Sequence, residues 1–234
     1  MEHIKNKTLI ITGASQGIGE ATARLFAKLG ANVALIARSE EKIKKISTDI
    51  NLDGGTSIAI KCDVSSPDEV KNAIKMTLKS YNAIDILIGN AGVINPIQNI
   101  ADMAVSDFEK VIDVNIYGMF LCAKFAFKLM KKQKPRGGRI INNGSISAYT
   151  PRPGSAAYTT SKHAITGLTK SIALDGRNID IVCSQIDIGN AETELTKSFK
   201  EGVIQPNGKK LKEATMDVNH EADTIINILK KTMS

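Results

Sequence analysis

The chain has 234 residues, 42% of them hydrophobic and 24% charged, with a formal net charge of +7, which suits one folded domain and excludes a disordered or fibrous protein. The roughly 20 consecutive apolar residues of a membrane span are absent, and the N-terminal stretch lacks the layout of a signal peptide, so we expect a cytoplasmic protein with no membrane partner. The basic charge would suit nucleic acid, but the lysines are dispersed and only four tyrosines, six phenylalanines and no tryptophan could stack on bases; we therefore predict no nucleic-acid partner.

Short β-branched runs alternate with longer amphipathic segments from end to end. The predicted strands are Lys7–Thr12, Asn32–Ala37, Thr56–Lys61, Ile84–Gly89, Arg139–Asn143 and Ile179–Gln185. The predicted helices are Gly17–Leu29, Glu40–Asn51, Pro67–Ser80, Ser106–Lys132, Ser155–Leu174 and Glu221–Lys231. This alternation predicts a doubly wound α/β Rossmann fold, a parallel sheet of six or seven strands with helices on both faces. No composition shift marks a boundary, so residues 1–234 are predicted to form a single domain.

Two segments depart from this pattern. The stretch Val114–Phe127 is apolar nearly all round, so it must be covered on both sides. The sheet is one cover, and a second subunit in a homodimer or homotetramer is the favoured other; burial in the core of the same chain is the alternative. Residues 190–219 are polar and broken by Pro206 and Gly208, which predicts either a disordered loop or a lid over a site.

The cysteines bear on the cellular compartment. Cys62, Cys122 and Cys183 lie far apart in apolar segments. This favours buried free thiols in a reducing compartment over metal ligation, and no metal site is predicted.

A glycine-rich turn lies between the first predicted strand and the first predicted helix. Glycines there let the backbone approach a pyrophosphate closely, and the amides at the helix start favour the anion. The position predicts a dinucleotide site, with a purely structural turn as the alternative. The candidate cofactor residues in this turn are Gly13, Ser15, Gln16, Gly17, Ile18 and Gly19.

The residues after the second strand bear on which dinucleotide binds. An NAD-selective site places a carboxylate here for the ribose 2′-hydroxyl, whereas this chain has Ala37, Arg38 and Ser39. Arg38 can pair with a 2′-phosphate, which a carboxylate would repel. We therefore predict NADP(H) as the preferred cofactor and leave NAD(H) open; an exposed arginine without a ligand is the alternative.

Polar residues follow the third and fourth strands, at the edge where ligands of open α/β sheets bind. Asp63, next to Val64, can accept a hydrogen bond from an adenine amine. Asn90, Ala91 and Gly92 can line the nicotinamide ribose. Structural turns are the alternative at both places.

Tyr158 and Lys162 lie one helical turn apart, and Ser145 precedes Tyr158 by thirteen residues. Residues at i and i+4 share a helix face, so the ammonium can lie near the phenol and favour loss of its proton. The Ser145 hydroxyl can hold a carbonyl oxygen beside that phenol. Such a pair alone often marks a solvated helix face, but its setting among the strand ends favours a proton donor.

Together these motifs resemble the short-chain dehydrogenase/reductase family over nearly the whole chain. The matches are T-G-x-x-x-G-I-G at Thr12–Gly19, Asp63-Val64, N-A-G at Asn90–Gly92, Asn115, Ser145 and Tyr158-x-x-x-Lys162. The resemblance implies that Tyr158 is the general acid/base and that Lys162 binds the nicotinamide ribose while lowering the tyrosine pKa. It also implies that Ser145 orients the substrate carbonyl and that Asn115 holds a water in a proton relay.

The chain departs from the family pattern in places. Gly89 replaces the first asparagine of the usual N-N-A-G, which predicts a looser turn. Ile188 stands where the family commonly has proline, and Thr193 matches the threonine that members place near the nicotinamide amide or phosphate, so both are expected at the cofactor site. The chain ends soon after its last predicted helix, where family members add a seventh strand and a glycine-rich tail.

The predicted function is NADP(H)-dependent hydride transfer between a ketone or aldehyde and its alcohol, with a small-molecule substrate. Tyr149, Ile94 and Gln185 are expected to line the substrate pocket. The basic segment Lys128–Arg139 suggests an acidic carrier protein as a partner, as in 3-oxoacyl-carrier-protein reductases; lysines that complement a helix dipole are the alternative. A nicotinamide-binding sensor without catalysis is the competing class, against which the intact Ser145, Tyr158 and Lys162 argue.

Overall fold

The computed structural model describes residues 4–194, 196 and 202–230. The strands of its main sheet are β1 Thr8–Thr12, β2 Asn32–Ala37, β3 Thr56–Lys61, β4 Ile86–Gly89, β5 Gly138–Asn143 and β6 Ile181–Ile186. The helices are α1 Gly17–Lys28, α2 Glu40–Leu52, α3 Pro67–Tyr81, α4 Val105–Ile112, α5 Met119–Met130, α6 Ala156–Gly176 and α7 Val218–Lys230. A short antiparallel hairpin, β7 Val203–Ile204 and β8 Lys210–Leu211, precedes α7.

The main sheet is parallel throughout, in the order β3-β2-β1-β4-β5-β6. Every residue of β1 is buried, because helices cover both faces of a sheet of this type. The strand order reverses between β1 and β4, and the loops that leave their carboxyl ends diverge to form a crevice. The predicted doubly wound Rossmann fold is confirmed, with six strands in the main sheet of the described residues.

Two hydrophobic cores hold the helices to the sheet, one on each face. Phe26, Ile43 and Leu229 bring α1, α2 and α7 onto the first face. Val70 and Leu121 bring α3 and α5 onto the second. Burial of an aliphatic or aromatic side chain of this size contributes roughly 1.5–3 kcal/mol, so the two cores fix the strand ends that border the crevice.

The segment predicted as one helix from Ser106 is instead α4 and α5, joined by a turn of π-helix over Asp113–Gly118. Asn115 lies in this turn, is 1% exposed, and bonds both the N–H and the C=O of Val93. A π-turn inserts a residue into the helix and redirects the side chains around it. The turn therefore coincides with the point where the helix contributes a polar side chain to the region beside the crevice.

The outer side of this helix pair exposes aromatic residues. Tyr117 is 42% and Phe120 39% exposed, and their rings stack with centroids 6.4 Å apart. The Nζ atom of Lys124 lies 5.5 Å from the centroid of the Phe120 ring. Aromatic residues are enriched in protein–protein interfaces. The subunit contact of a homodimer or homotetramer stays a prediction, and this aromatic surface is where we expect it.

The basic segment that suggested a carrier protein lies at the opposite end of the sheet from the crevice. It precedes and enters β5 at Gly138, the amino end of that strand, and a strand of six residues spans roughly 20 Å. Arg139 is only 5% exposed, and Arg136 is bound to Asp180 with an Nη2–Oδ2 distance of 2.8 Å. This position gives no support to carrier docking beside the crevice.

The cysteines are buried free thiols, as predicted. Burial raises the pKa of Cys62 and of Cys183 to about 12, and it raises the pKa of Cys122 as well. Thiolate is the reactive form of cysteine, so these residues serve packing.

None of the helices in the described ranges is long and apolar enough to cross a membrane.

Candidate active site

The glycine-rich turn between β1 and α1 forms one wall of the crevice. Gly13 and Gly17 have φ angles of 66° and 57°, in the region that favours glycine. A Cβ atom on Gly19 would lie 2.3 Å from the carbonyl oxygen of Gly13, and one on Gly13 would lie 2.9 Å from the Cα atom of Ala91. The backbone of the turn therefore packs against itself and against the loop after β4 more tightly than any larger residue would allow, as the tight turn of a dinucleotide site requires.

Asn90 ties this turn to the ends of the neighbouring strands. Its Nδ2 atom donates to the carbonyl oxygens of Thr12 and Gly13, at 3.0 and 3.3 Å, and its Oδ1 atom accepts from Nδ2 of Asn143 at 2.7 Å. The Thr12 hydroxyl in turn accepts from the N–H groups of Asn90 and Ala91, at 2.9 and 3.0 Å. Asn90 borders the crevice as predicted, together with Ala91 and Gly92, but its side chain is used to join β1, β4 and β5.

The turn at Gly89 is filled and not loose, contrary to the sequence prediction. A Cβ atom at Gly89 would lie 2.0 Å from the Sδ atom of Met119, which is 5% exposed. The methionine on α5 thus occupies the space that a larger residue would need. This compensation depends on packing between distant segments, so the sequence alone gave no sign of it.

Arg38, Ser39, Asp63 and Val64 line the crevice beyond β2 and β3. The Asp63 carboxylate accepts from the N–H and the hydroxyl of Ser65, at 2.9 and 2.7 Å. Burial acts to raise the pKa of Asp63, but the hydrogen bonds from Ser65 and the charge of Arg38 outweigh it, so this pKa is lowered. The carboxylate is ionised and can accept a hydrogen bond from a base amine.

Ser145, Tyr158 and Lys162 converge where β5 ends, as the sequence predicted. The Ser145 hydroxyl accepts a hydrogen bond from the N–H of Ser147 at 3.1 Å, and Ser145 and Tyr158 line the same small cavity beside the crevice. The Nζ atom of Lys162 donates to the carbonyl oxygen of Asn143 at 2.8 Å and lies 5.5 Å from the centroid of the Tyr158 ring. An acid, a polar partner and a cation are therefore grouped at one point of the crevice.

The charges around Tyr158 differ from the sequence prediction in one respect. Burial raises the pKa of Tyr158, while the hydrogen bond with Ser145 and the charge of Arg152 lower it by less. Burial lowers the pKa of Lys162 to about 8, against the opposing effect of the Asp187 carboxylate. The cation that favours the phenolate in this structure is Arg152, whereas Lys162 was expected to do so. At neutral pH the phenol is therefore a protonated donor.

Asn115 is a structural link beside this group. Its Nδ2 atom donates to the carbonyl oxygen of Val93 at 3.0 Å and to the Ser161 hydroxyl at 3.1 Å, and its Oδ1 atom accepts from the N–H of Val93 at 2.8 Å. These bonds connect the π-turn to the loop after β4 and to α6. Because these bonds engage the Asn115 amide, the side chain has a positioning role, and the structure lends no support to the predicted water-holding role.

Ile188 and Thr193 also line the crevice. Ile188 is 6% exposed, and its carbonyl oxygen accepts from the N–H of Ile146 at 3.1 Å. A Cβ atom on Gly17 would lie 3.0 Å from Cγ2 of Thr193, so the threonine packs closely against the turn. With the remaining glycine-turn residues, these walls enclose a crevice of about 380 Å³.

A smaller cavity of about 70 Å³ adjoins the crevice and shares Tyr158 with it. Its polar lining includes Ser145, Tyr158, Arg152 and Asn190. Its apolar walls come from Ile94, Ile97, Ile146, Pro153 and Val203. A carbonyl group that enters this cavity would meet the Ser145 and Tyr158 hydroxyls together.

Two residues predicted to line the substrate pocket have another role. Tyr149 is 67% exposed and donates its phenol proton to Oδ2 of Asp187 at 3.1 Å. The Gln185 amide donates to Oδ1 of Asp187 at 2.6 Å, as does the N–H of Ser145 at 3.0 Å. Asp187 thus holds the loop that carries Ser145. Sequence reasoning passed over both Asp187 and Arg152, because no local pattern marks either one.

Comparison with known proteins agrees with this geometry. The family model described as short chain dehydrogenase matches residues 7–203. A 3beta-hydroxysteroid dehydrogenase of Mediterraneibacter gnavus is 35% identical over 197 residues, which are 84% of this chain and 70% of that protein. A 3-oxoacyl-(acyl-carrier-protein) reductase of Synechocystis is 35% identical over 207 residues, 88% of this chain and 83% of that one.

The fold comparison gives the same result. The solved structure of a 3-ketoacyl-(acyl-carrier-protein) reductase from Brucella melitensis, complexed with NADH, superimposes with a TM-score of 0.85 at 26% identity. The match covers 96% of this chain and 91% of that one. On its sequence motifs, its six-stranded sheet and these matches, the chain belongs to the short-chain dehydrogenase family of oxidoreductases.

Proposed function

We propose that the protein interconverts a ketone or aldehyde and the corresponding alcohol with NADP(H), using Tyr158 as general acid/base. The observation that carries the proposal is that Ser145 and Tyr158 line one small cavity, and that Tyr158 also lines the adjoining crevice. Two relatives, one named as a hydroxysteroid dehydrogenase and the other as an oxoacyl reductase, support a substrate that changes between a carbonyl and a hydroxyl group.

The residues of the crevice fit a nicotinamide dinucleotide. Gly13, Gly17 and Gly19 permit the tight turn that leads into α1, and the N–H groups at the start of that helix would hold a pyrophosphate. Asp63 is an ionised acceptor for the adenine amine, and the Ile188–Thr193 wall would hold the nicotinamide end. When bound, the nicotinamide supplies or accepts the hydride.

The side chains of this protein handle the proton. In the reducing direction Tyr158, protonated at neutral pH, donates to the carbonyl oxygen while Ser145 hydrogen-bonds the same oxygen; positioned acid catalysis contributes roughly 10²–10⁴-fold. In the oxidising direction the phenol must lose its proton, which the positive charge of Arg152 favours. Burial raises the pKa of Tyr158, so the oxidising reaction gains more from alkaline pH than the reducing one.

A substrate screen tests the function. Ketones, aldehydes and an acetoacetyl thioester are offered with NADPH, and secondary alcohols with NADP⁺, while the nucleotide absorbance is followed. We expect steady nucleotide turnover with at least one carbonyl–alcohol pair; turnover of the thioester would favour a 3-oxoacyl reductase as the specific enzyme. Tight NADPH binding without turnover of any compound would point to a nicotinamide-binding sensor or scaffold.

The preference for NADP(H) is assigned to Arg38, with Lys42 as a second cation near the glycine turn, its Nζ atom 3.4 Å from Oε1 of Gln16. We expect Arg38→Ala to weaken NADPH binding about 10- to 100-fold, the worth of a lost charge-assisted hydrogen bond, and to leave NADH binding unchanged. Dissociation constants measured by fluorescence for both nucleotides check this. Arg136→Ala, at the other end of the sheet, is the matched control; equal weakening of the two nucleotides would contradict the assignment.

A further inference from the structure

The Asp187 carboxylate joins three segments of the site. Its Oδ1 atom accepts from the N–H of Ser145 at 3.0 Å and from Nε2 of Gln185 at 2.6 Å. Its Oδ2 atom accepts from the Tyr149 phenol at 3.1 Å. Nε2 of Gln185 also donates to the Thr166 hydroxyl at 3.0 Å. The carboxylate therefore connects the loop after β6 to the Ser145 loop directly and to α6 through Gln185.

Gly144 lets this carboxylate lie against the end of β5. A Cβ atom on Gly144 would lie 2.2 Å from Oδ1 of Asp187, so any larger residue there would displace the carboxylate. The preceding residue is Asn143, whose carbonyl oxygen accepts from Nζ of Lys162 at 2.8 Å. The following residue is Ser145. Asp187 therefore lies beside the short stretch of backbone that binds the lysine and carries the serine.

The charge of Asp187 acts on Lys162. The lysine is buried, and a buried ammonium is costly unless an opposite charge offsets its lost hydration. Burial lowers the pKa of Lys162 to about 8, and the charge of Asp187 works against this by raising it. Asp187 is therefore an anion that favours the charged lysine.

The other charged groups near the crevice act elsewhere. The remaining titratable residues among the described parts of the crevice wall are Tyr158, on the same helix as Lys162, and Arg38, Cys62 and Asp63 beyond β2 and β3. Arg38 lowers the pKa of Asp63, and Arg152, in the loop before α6, acts on Tyr158. A change in the charge of Asp187 should therefore be felt first by the lysine.

We propose that Asp187 is a positioning residue with two roles: it fixes the Ser145 loop at the small cavity, and it is the counter-charge that keeps the buried Lys162 cationic. The hydrogen bond to the N–H of Ser145 carries the first role. The close approach to Gly144, next to the backbone that binds the lysine, carries the second. Both roles belong to the folded protein alone, whereas their consequence for turnover rests on the proposed function. Asp187 itself transfers neither the proton nor the hydride.

Asp187→Asn tests the counter-charge without any need for turnover, because asparagine keeps an acceptor oxygen for the N–H of Ser145 and removes the charge. The Lys162 ammonium is titrated by NMR on protein labelled with carbon-13 at the lysine ε-carbon, and its signal is identified by its loss in Lys162→Met. We expect the midpoint to fall by about 1 pH unit in Asp187→Asn, the lower end of what a nearby opposite charge contributes. Asp175→Asn, at an exposed position near the end of α6, should leave the midpoint unchanged.

Hydrogen exchange at the N–H of Ser145 tests the anchoring of the loop. In Asp187→Ala this N–H loses its acceptor, and we expect it to exchange about 10-fold faster, the equivalent of roughly 1.4 kcal/mol. Asp187→Asn should retain most of the protection. Gly144→Ala should reproduce the acceleration, because its methyl group would displace the carboxylate while the charge remains. Protection of the β1 and β4 amides shows whether each variant is folded.

Turnover tests the consequence of both roles, on a substrate from the screen described above. At about pH 6 the lysine is charged in every variant, and we expect Asp187→Ala to lower kcat for carbonyl reduction about 10-fold. Asp187→Asn, which keeps the anchor of Ser145, should lower it less than about threefold. As the pH rises, the activity of Asp187→Asn should fall at a lower pH than that of the wild type, because Lys162 then loses its proton earlier. A merely structural role of Asp187 would lower kcat without moving this fall.

The two roles can fail separately. A Lys162 midpoint that is unchanged or higher in Asp187→Asn would overturn the counter-charge. Exchange of the Ser145 N–H at the wild-type rate in a folded Asp187→Ala or Gly144→Ala would overturn the anchor. A protein that shows both expected effects, yet turns over no carbonyl compound, would contradict the proposed function and not the roles of Asp187.

Discussion

Tyr158→Phe is expected to lower kcat for carbonyl reduction by about 10²–10⁴-fold and to leave NADPH binding unchanged. The substitution removes one oxygen atom from Tyr158, which lies at the junction of the crevice and the small cavity. The aromatic ring keeps its place, so the walls around the dinucleotide are preserved. The expected loss equals the contribution of a positioned general acid. Steady-state turnover and NADPH titration on the same preparations check both parts.

Tyr81→Phe is the matched control for this prediction. Tyr81 ends α3, on the side of the sheet away from the crevice, and its buried phenol oxygen has no hydrogen-bond partner among the residues that the structure describes. Removal of that oxygen should leave turnover at the wild-type level. Retention of more than a tenth of the activity in Tyr158→Phe would remove Tyr158 from the role of proton donor.

The parts of the site that the sequence could predict are those encoded by short-range geometry. The glycine turn was recognisable because Gly13 and Gly17 need backbone angles that other residues avoid. Tyr158 and Lys162 were recognisable because a spacing of four places two residues on one helix face. The convergence of the strand ends followed from the parallel order of the sheet, since all carboxyl ends then meet at one edge.

Features that depend on contacts between distant segments could not be predicted. The π-turn at Asp113–Gly118 follows from the bonds of Asn115 to Val93 on another segment. An ion pair joins Arg152 to Glu213, 61 positions further along the chain. The strand predicted to begin at Ile179 begins at Ile181 instead. The cause is local, the left-handed backbone of Asp180 at φ 58°, yet aspartate adopts this conformation too seldom for the sequence to indicate it.

Spacing also could not reveal the electrostatic balance between Tyr158 and Lys162. A pair at i and i+4 suggests that the ammonium acts on the phenol, but the shift of each pKa depends on burial and on every other partner. Lys162 is only 7% exposed and donates to the carbonyl oxygen of Asn143. The hydrogen bond keeps the Lys162 ammonium at the wall of the crevice, where burial removes much of its hydration. This cost leads to a second large effect.

Lys162→Met is expected to abolish turnover while it raises the melting temperature of the protein measured at pH 7 without added nucleotide. Burial lowers the pKa of Lys162 from its ordinary value of 10.5 to about 8, which corresponds to a destabilisation of roughly 3 kcal/mol when the lysine is charged. Methionine removes the destabilisation by the buried charge. It also leaves the carbonyl of Asn143 without its donor, at a cost of about 1–3 kcal/mol. The net gain is expected to be about 0–2 kcal/mol, a rise of up to a few degrees for a chain of this length.

The pH dependence distinguishes this cause from better packing of the methionine. The folded-state pKa lies below the unfolded one, so the destabilisation by Lys162 is complete below pH 8, where both states hold the proton. It is relieved progressively between pH 8 and 10.5, because the folded protein releases the proton first. The advantage of Lys162→Met should therefore be largest at pH 7 and gone near pH 10.5. Lys71→Met, at an exposed position on α3, should show no such trend, and an advantage of Lys162→Met that stays constant with pH would assign the gain to packing instead of to the buried charge.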